Sequence, residues 1–119
     1  MNTVPALDVA RAYHGAWIEG RMDAAGAHLD AGLVVEVPIN DYPTKSSFLD
    51  AVAATRGMAS KIEMLSALGG DGEAVLLYDM TLPFGVMRVA EHFTVPAGQI
   101  IRLRQIHDTH ALRVAMGVR

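Results

Sequence analysis

Cysteine is absent from all 119 residues, which excludes a disulfide scaffold, a thiolate metal site and a cysteine nucleophile. That composition fits a reducing, cytoplasmic setting. Excess positive charge is also missing: ten Lys and Arg stand against 13 Asp and Glu, a net charge of −3, so no basic stripe for nucleic acid is expected. No apolar run approaches the ~20 residues needed to span a bilayer. The opening Met1-Asn2-Thr3-Val4-Pro5 has no charged n-region, so the chain reads as soluble and unexported, with no membrane partner. No glycine-rich phosphate loop follows a strand, since Gly69-Gly70-Asp71-Gly72 reads as a hairpin turn. The five histidines are scattered, and His107 with His110 straddles a strand end, so no metal site is expected.

What is present is apolar and patterned. Half the residues are hydrophobic (51%) and 19% are charged, a globular balance for one domain spanning residues 1–119. Val9, Ala10, Tyr13, Ala16 and Trp17 recur at helical spacing, predicting a first helix from Pro5 to Glu19 that Gly20 ends. Asp23 is read as the cap of a short second helix carrying Ala27 and Leu29, closed by Gly32. The run Leu33-Val34-Val35-Glu36-Val37 predicts a first strand, stopped by Pro38. Thr44 or Ser46 then caps a third helix with Phe48, Leu49, Val52 and Ala53 on one face, ending at Gly57. From Met58 onward, turn signals divide the chain into four strands, about 58–68, 73–82, 85–95 and 99–108. Their short connections make an antiparallel meander, and only the three helices are available to cover its face.

These elements, in this order, resemble the nuclear-transport-factor-2-like (NTF2-like) superfamily, the conical α+β fold that includes SnoaL-type polyketide cyclases and ketosteroid isomerases. The residues that carry the resemblance are Tyr13-His14-Gly15-Ala16-Trp17, Gly20-Arg21-Met22-Asp23, Leu33-Val34-Val35-Glu36-Val37-Pro38, Ala90-Glu91-His92-Phe93-Thr94-Val95 and the closing segment from Gly98 to Asp108. The resemblance implies a cystatin-like cone with three N-terminal helices on a curved, mainly antiparallel sheet. It also implies that Tyr13 stands where the isomerases keep an oxyanion-stabilising tyrosine, and Glu91 where they keep a buried hydrogen-bonding acid. Their proton-shuttling aspartate is replaced by Val37, and the base of the cyclase pattern coincides with Gln105. Neither residue is a base at neutral pH, so neither family mechanism carries over whole.

Alternation puts Met87, Val89, Glu91, Phe93 and Val95 on one face of their strand, and that apolar company marks it as the inner face. On the last strand Ile101, Leu103, Gln105 and His107 share a face. A three-residue loop at 96–98 would pair Val95 with Gln99, place Glu91 opposite Leu103 and diagonal to Gln105, and leave His107 roughly 13 Å away at 3.3 Å per residue. Among apolar neighbours the Glu91 carboxyl is expected to titrate high and to act as a donor partnered by Tyr13, or else to be half-exposed or locked to Tyr13 or an arginine. Asp79 falls on the opposite face from Tyr78 and is excluded from the site. The candidate catalytic residues are therefore Tyr13, Glu91 and His107, with His107 as proton carrier because imidazole titrates near neutrality. Trp17, Val37, Val89, Phe93, Leu103 and Gln105 are the candidate ligand-binding residues.

Two functions stand open on this sequence. One is a cofactor-free isomerase, cyclase or dehydratase moving a proton on a small apolar carbonyl or enol compound. The other is a non-catalytic small-molecule-binding or dimerisation module. A homodimer is expected in either case, through the outer sheet face of Arg88, Ala90, His92, Thr94, Arg102, Arg104 and Ile106.

Overall fold

The computed structural model describes residues 5–117, so the reading of the opening segment Met1-Asn2-Thr3-Val4 lies outside the described residues. Helix α1 (Ala6–Ile18) forms where the apolar spacing predicts it and buries Val9, Ala10, Tyr13, Ala16 and Trp17. The carbonyl of Pro5 accepts from the N–H groups of Asp8 and Val9, and its missing N–H costs the helix nothing at that position. At the other end Gly20 takes φ +77°. The Arg21 N–H returns to the Ala16 carbonyl at 2.9 Å and the Gly20 N–H to Trp17 at 3.0 Å, a Schellman ending that needs a residue tolerant of the left-handed region.

Helix α2 (Met22–Ala27) is shorter than expected. Asp23 sits inside its first turn and Arg21 is the residue at the cap, while Leu29 and Gly32 belong to strand β1 (Leu29–Glu36). The last strand captures the chain there, because the His28 carbonyl accepts from the Ile100 N–H at 2.8 Å. Gly32, which reads as a helix stop, lies in the irregular stretch between Leu29 and Val34, where its N–H donates to the Asp30 carboxylate at 2.8 Å.

Helix α3 (Lys45–Met58) is capped by Thr44, not Ser46. The Ser47 N–H donates to Thr44 Oγ1 at 3.0 Å and the Thr44 N–H to Ser47 Oγ at 3.2 Å, which satisfies two otherwise orphan donors. Phe48 is buried, and Leu49 and Val52 pack against the core. Ala53, expected on the same face, is exposed.

Strands β2 (Lys61–Gly70), β3 (Glu73–Leu82), β4 (Gly85–Thr94) and β5 (Ile100–His107) form the expected antiparallel meander, and a short helix α4 (His110–Ala115) follows that the sequence pattern does not signal. The sheet order is β1-β5-β4-β3-β2, with β1 parallel to β5 at one edge. The architecture is α+β: a curved, mainly antiparallel five-stranded sheet covered on one face by the helices. Alternation along β3 buries Ala74, Leu76, Tyr78, Met80 and Leu82, and along β4 it buries Val89, Glu91 and Phe93. α1 lies close on β2, since a Cβ at Gly69 would come within 2.8 Å of the Leu7 Cβ. Among the described residues no helix is long and apolar enough to cross a membrane.

Candidate functional site

Between α1, α3 and the inner face of the sheet lies a partly enclosed cavity of about 300 Å³. Most of its wall is apolar: Trp17 from α1, Phe48 and Val52 from α3, and Met80, Met87 and Val89 from the sheet. Val37 and Pro38 close it beyond β1, and Leu112 reaches it from α4. The segment around α3 adds the polar groups of Asn40, Tyr42 and Thr55, and α1 and the sheet contribute the polar side chains of Tyr13, Tyr78, Glu91, Gln105 and His107.

The β4–β5 register assembles that group, and it differs from the expected one. Glu91 pairs with Gln105, Val89 with His107 and Phe93 with Leu103. The connection occupies residues 95–99, two more than a loop at 96–98, and the Val95 N–H donates to the Gly72 carbonyl at 2.7 Å on the β3 side of the strand. The register therefore slips by two residues relative to a Val95–Gln99 pairing. An even slip keeps every side chain on its face but changes its neighbours. Glu91 is directly opposite Gln105 rather than Leu103, and His107 is its diagonal neighbour, about 7–8 Å away, not 13 Å.

Glu91 is 1% exposed and both of its oxygens are engaged. Gln105 Nε2 donates to Oε2 at 2.8 Å, and the Tyr78 hydroxyl donates to Oε1 at 3.2 Å. The partner phenol is thus Tyr78, whereas Tyr13, expected in that role, packs edge-on against Phe93 with ring centroids 5.9 Å apart. Burial pushes the Glu91 carboxyl up to about 7, against the pull of the Gln105 and Tyr78 hydrogen bonds, which favour the ionised form. Burial, and then the Glu91 charge, holds both Tyr13 and Tyr78 well above the ordinary tyrosine value, so both remain donors.

Of the residues read as ligand-binding, Trp17, Val37, Val89 and Gln105 line the cavity. Phe93 and Leu103 do not: each is 0% exposed and packed within the core farther along the same face, where Phe93 meets the Tyr13 ring. His107 lines the cavity, and its Nδ1 lies 3.2 Å from the Asp108 carbonyl oxygen. A carbonyl can only accept, so that contact puts the proton of neutral His107 on Nδ1 and leaves Nε2 as a lone-pair nitrogen. Asp79 is on the outer face, bound to Arg88 through two hydrogen bonds of 2.8 and 3.0 Å.

Sequence reasoning missed two residues. Tyr78 lies on the face opposite Asp79 and carries no role in the sequence reading, although the two-residue turn at Pro83-Phe84 fixes Leu76 opposite Glu91 and so sets Tyr78 diagonal to it. His14 carried no signal beyond its place one residue after Tyr13. It is 4% exposed, wedged between Trp17 (centroids 5.2 Å) and Tyr78 (4.7 Å), and neither ring nitrogen has a hydrogen-bond partner among the described residues. Burial lowers its pKa to about 4. Among the described residues no three His, Asp or Glu side chains converge as metal ligands.

No family model and no curated protein matches the chain in sequence. Solved structures do match. A protein from Kribbella flavida DSM 17836 is 32% identical, covering 95% of this chain and 94% of its own, with a TM-score of 0.87. An NTF2-like protein from Burkholderia thailandensis E264 is 18% identical, with 98% of each chain covered and a TM-score of 0.77. A second Kribbella flavida protein, provisionally described as a ketosteroid isomerase, is 14% identical over 89% of this chain and 81% of its own, with a TM-score of 0.76. With the helix order, the curved sheet and the cavity between them, these likenesses show that the chain is of one family with the 32% identical Kribbella flavida protein and has the NTF2-like fold.

Proposed function

We propose that the cavity binds a small hydrophobic carbonyl or enol compound and moves a proton on it without a cofactor, as an isomerase, cyclase or dehydratase does. The observation that carries this reading is Glu91: a fully buried carboxyl on the cavity wall, held from both sides by Gln105 and Tyr78 and shifted to about 7. A carboxyl poised there exists in both protonation states near neutrality, which is what proton transfer in either direction requires. Tyr13, kept neutral by burial, is a donor for oxygen charge that develops in the transition state. His107 Nε2, across the diagonal from Glu91, is the group that takes the carbon-bound proton.

A non-catalytic binding module is the second reading, favoured by one specific observation. The two positions where the resembling families keep a base hold Val37, which has no proton to move, and Gln105, whose amide is already committed to Glu91. Exchange of the α-protons of 2-tetralone for deuterium, followed by NMR, separates the two. Catalysed exchange is expected, and His107→Gln should slow it by roughly 10²–10⁴-fold, the usual worth of a general base. Exchange at the buffer rate in both proteins, with the ketone bound, establishes the binding module instead.

A further inference from the structure

Strand β1 ends at Glu36 and the cap of α3 is Thr44, and the seven residues between them, 37–43, run along the cavity as a strap. Four of the seven line it: Val37, Pro38, Asn40 and Tyr42. Both ends are fixed, since Glu36 pairs with Arg104 in the sheet and Thr44 is held in its capping box with Ser47. Between those ends, among the described residues, no hydrogen bond joins residues 38–43 to the rest of the chain. What seats the strap is an aromatic contact, the Tyr42 ring edge-on to buried Phe48 with centroids 5.8 Å apart.

The middle of the strap is strained. The Asn40 N–H donates to the Pro38 carbonyl at 2.9 Å and closes a three-residue γ-turn about Ile39, whose φ is +70°. That hand of the γ-turn is the rare, strained one. Ile39 is the one non-glycine residue at positive φ among the described residues, and its branched Cβ makes the conformation costlier still. Packing does not compensate, because the Ile39 side chain is 46% exposed. Pro38 and Pro43 stiffen the strap on either side and hold Val37 and Tyr42 before them extended, which concentrates its freedom between Ile39 and Asp41. Returning Ile39 to negative φ relieves the strain and breaks only the bond within the turn. It also re-aims the stretch from Asn40 to Tyr42 and draws the Tyr42 ring off Phe48.

We propose that residues 37–43 are a door to the cavity, with the turn at Ile39 as its spring: the door is shut while Tyr42 sits on Phe48 and opens when Ile39 relaxes. The strain raises the energy of the shut state alone, and so it sets how often the cavity opens. What passes the door rests on the function proposed above. The door itself does not.

The chain has no cysteine, so a single introduced thiol reports access. Val89→Cys places it on the cavity wall at a position 1% exposed, while Leu76→Cys places it in the core, 0% exposed and off the cavity, where only global unfolding uncovers it. Iodoacetamide, small and uncharged, is the probe. Glycine takes φ +70° without strain, so Ile39→Gly should slow labelling of the Val89→Cys thiol by at least about threefold relative to the Leu76→Cys thiol. Proline cannot take positive φ, so Ile39→Pro keeps the door open and should speed the same relative labelling by at least about threefold. Labelling at the cavity thiol that Ile39→Gly leaves unchanged, speeds, or alters equally at both thiols overturns the proposal. Should Ile39→Pro not fold, the Ile39→Gly comparison decides alone, and should Val89→Cys not fold, Met80→Cys on the same wall takes its place. Labelling that changes as expected with no binding of 2-tetralone removes the function proposed above and leaves the door.

Discussion

Two ionisable side chains lie against Tyr78: Glu91 accepts from its hydroxyl, and His14 packs on its ring. Burial acts on them in opposite directions, because it disfavours whichever form is charged. Glu91, at about 7 in the fold against an ordinary 4.5, keeps its proton in the folded state across a window where the unfolded chain has lost it. Its contribution to stability therefore falls as pH rises from about 4.5 to about 7. His14, at about 4 against 6.5, stays neutral in the fold while the unfolded chain takes up a proton, so its contribution falls as pH drops from about 6.5 to about 4. Each effect is worth about 3 kcal/mol at full extent, and they oppose each other between roughly pH 4.5 and 6.5. Urea midpoints are expected to be nearly level there in the wild type. They should rise with pH in Glu91→Gln, where only His14 is left, and fall with pH in His14→Phe, where only Glu91 is left. A Glu91→Gln profile as level as the wild type would show that the carboxyl titrates at its ordinary value.

Among the elements, the ends of the helices and the strand register decide where the site's side chains arrive. Helix α1 delivers Tyr13, His14 and Trp17 to the sheet, and its first turns rest on β2 at Gly69. Gly69→Ala would bring its Cβ to 2.8 Å from the Leu7 Cβ, an atom fixed to the helix backbone, so helix and strand must separate. A loss of about 1–3 kcal/mol is expected from denaturant unfolding, the usual range for overpacking, with faster amide exchange in α1. An unchanged midpoint would mean that the helix can shift without loss. The elements legible in the sequence are those set by local contacts. Thr44, one of two cap candidates, the turn at Pro83-Phe84 and the inner faces of β3 and β4 are local patterns and they formed, while the Gly69-Gly70-Asp71-Gly72 turn narrowed to Asp71-Gly72 because β2 runs from Lys61 to Gly70 instead of about 58–68. The Gly32 stop failed because β5, distant in sequence, holds that segment as a strand, and Asp23 lies inside the first turn of a helix that starts at Met22.

On the scale of the molecule, helices cover one face of the sheet while the other is open in the single chain. On that face Ile106 is 72% exposed and stands opposite Ala90, and Leu68 is 66% exposed opposite Val75. Arg88, Arg104 and His92 are paired within the chain, with Asp79, Glu36 and Glu73, which lowers the repulsion this face has toward its own copy. A two-fold dimer through this face is the expected assembly. Sedimentation should give twice the chain mass at micromolar concentration, and Ile106→Glu should give a monomer; a monomeric wild type rejects the interface. The sequence alone determined which residues face inward, because alternation along a strand is a property of the backbone and survives any even slip of register. It thereby brought Tyr13, Glu91, Gln105 and His107 to one side of the sheet before any neighbour was known. The tertiary structure decided which of them touch. The five-residue connection at 95–99 goes with a β5 register that gives Glu91 its Gln105 partner and moves His107 to its diagonal. Where a connection ends and pairing begins is settled by contacts between the strands, which no local pattern encodes.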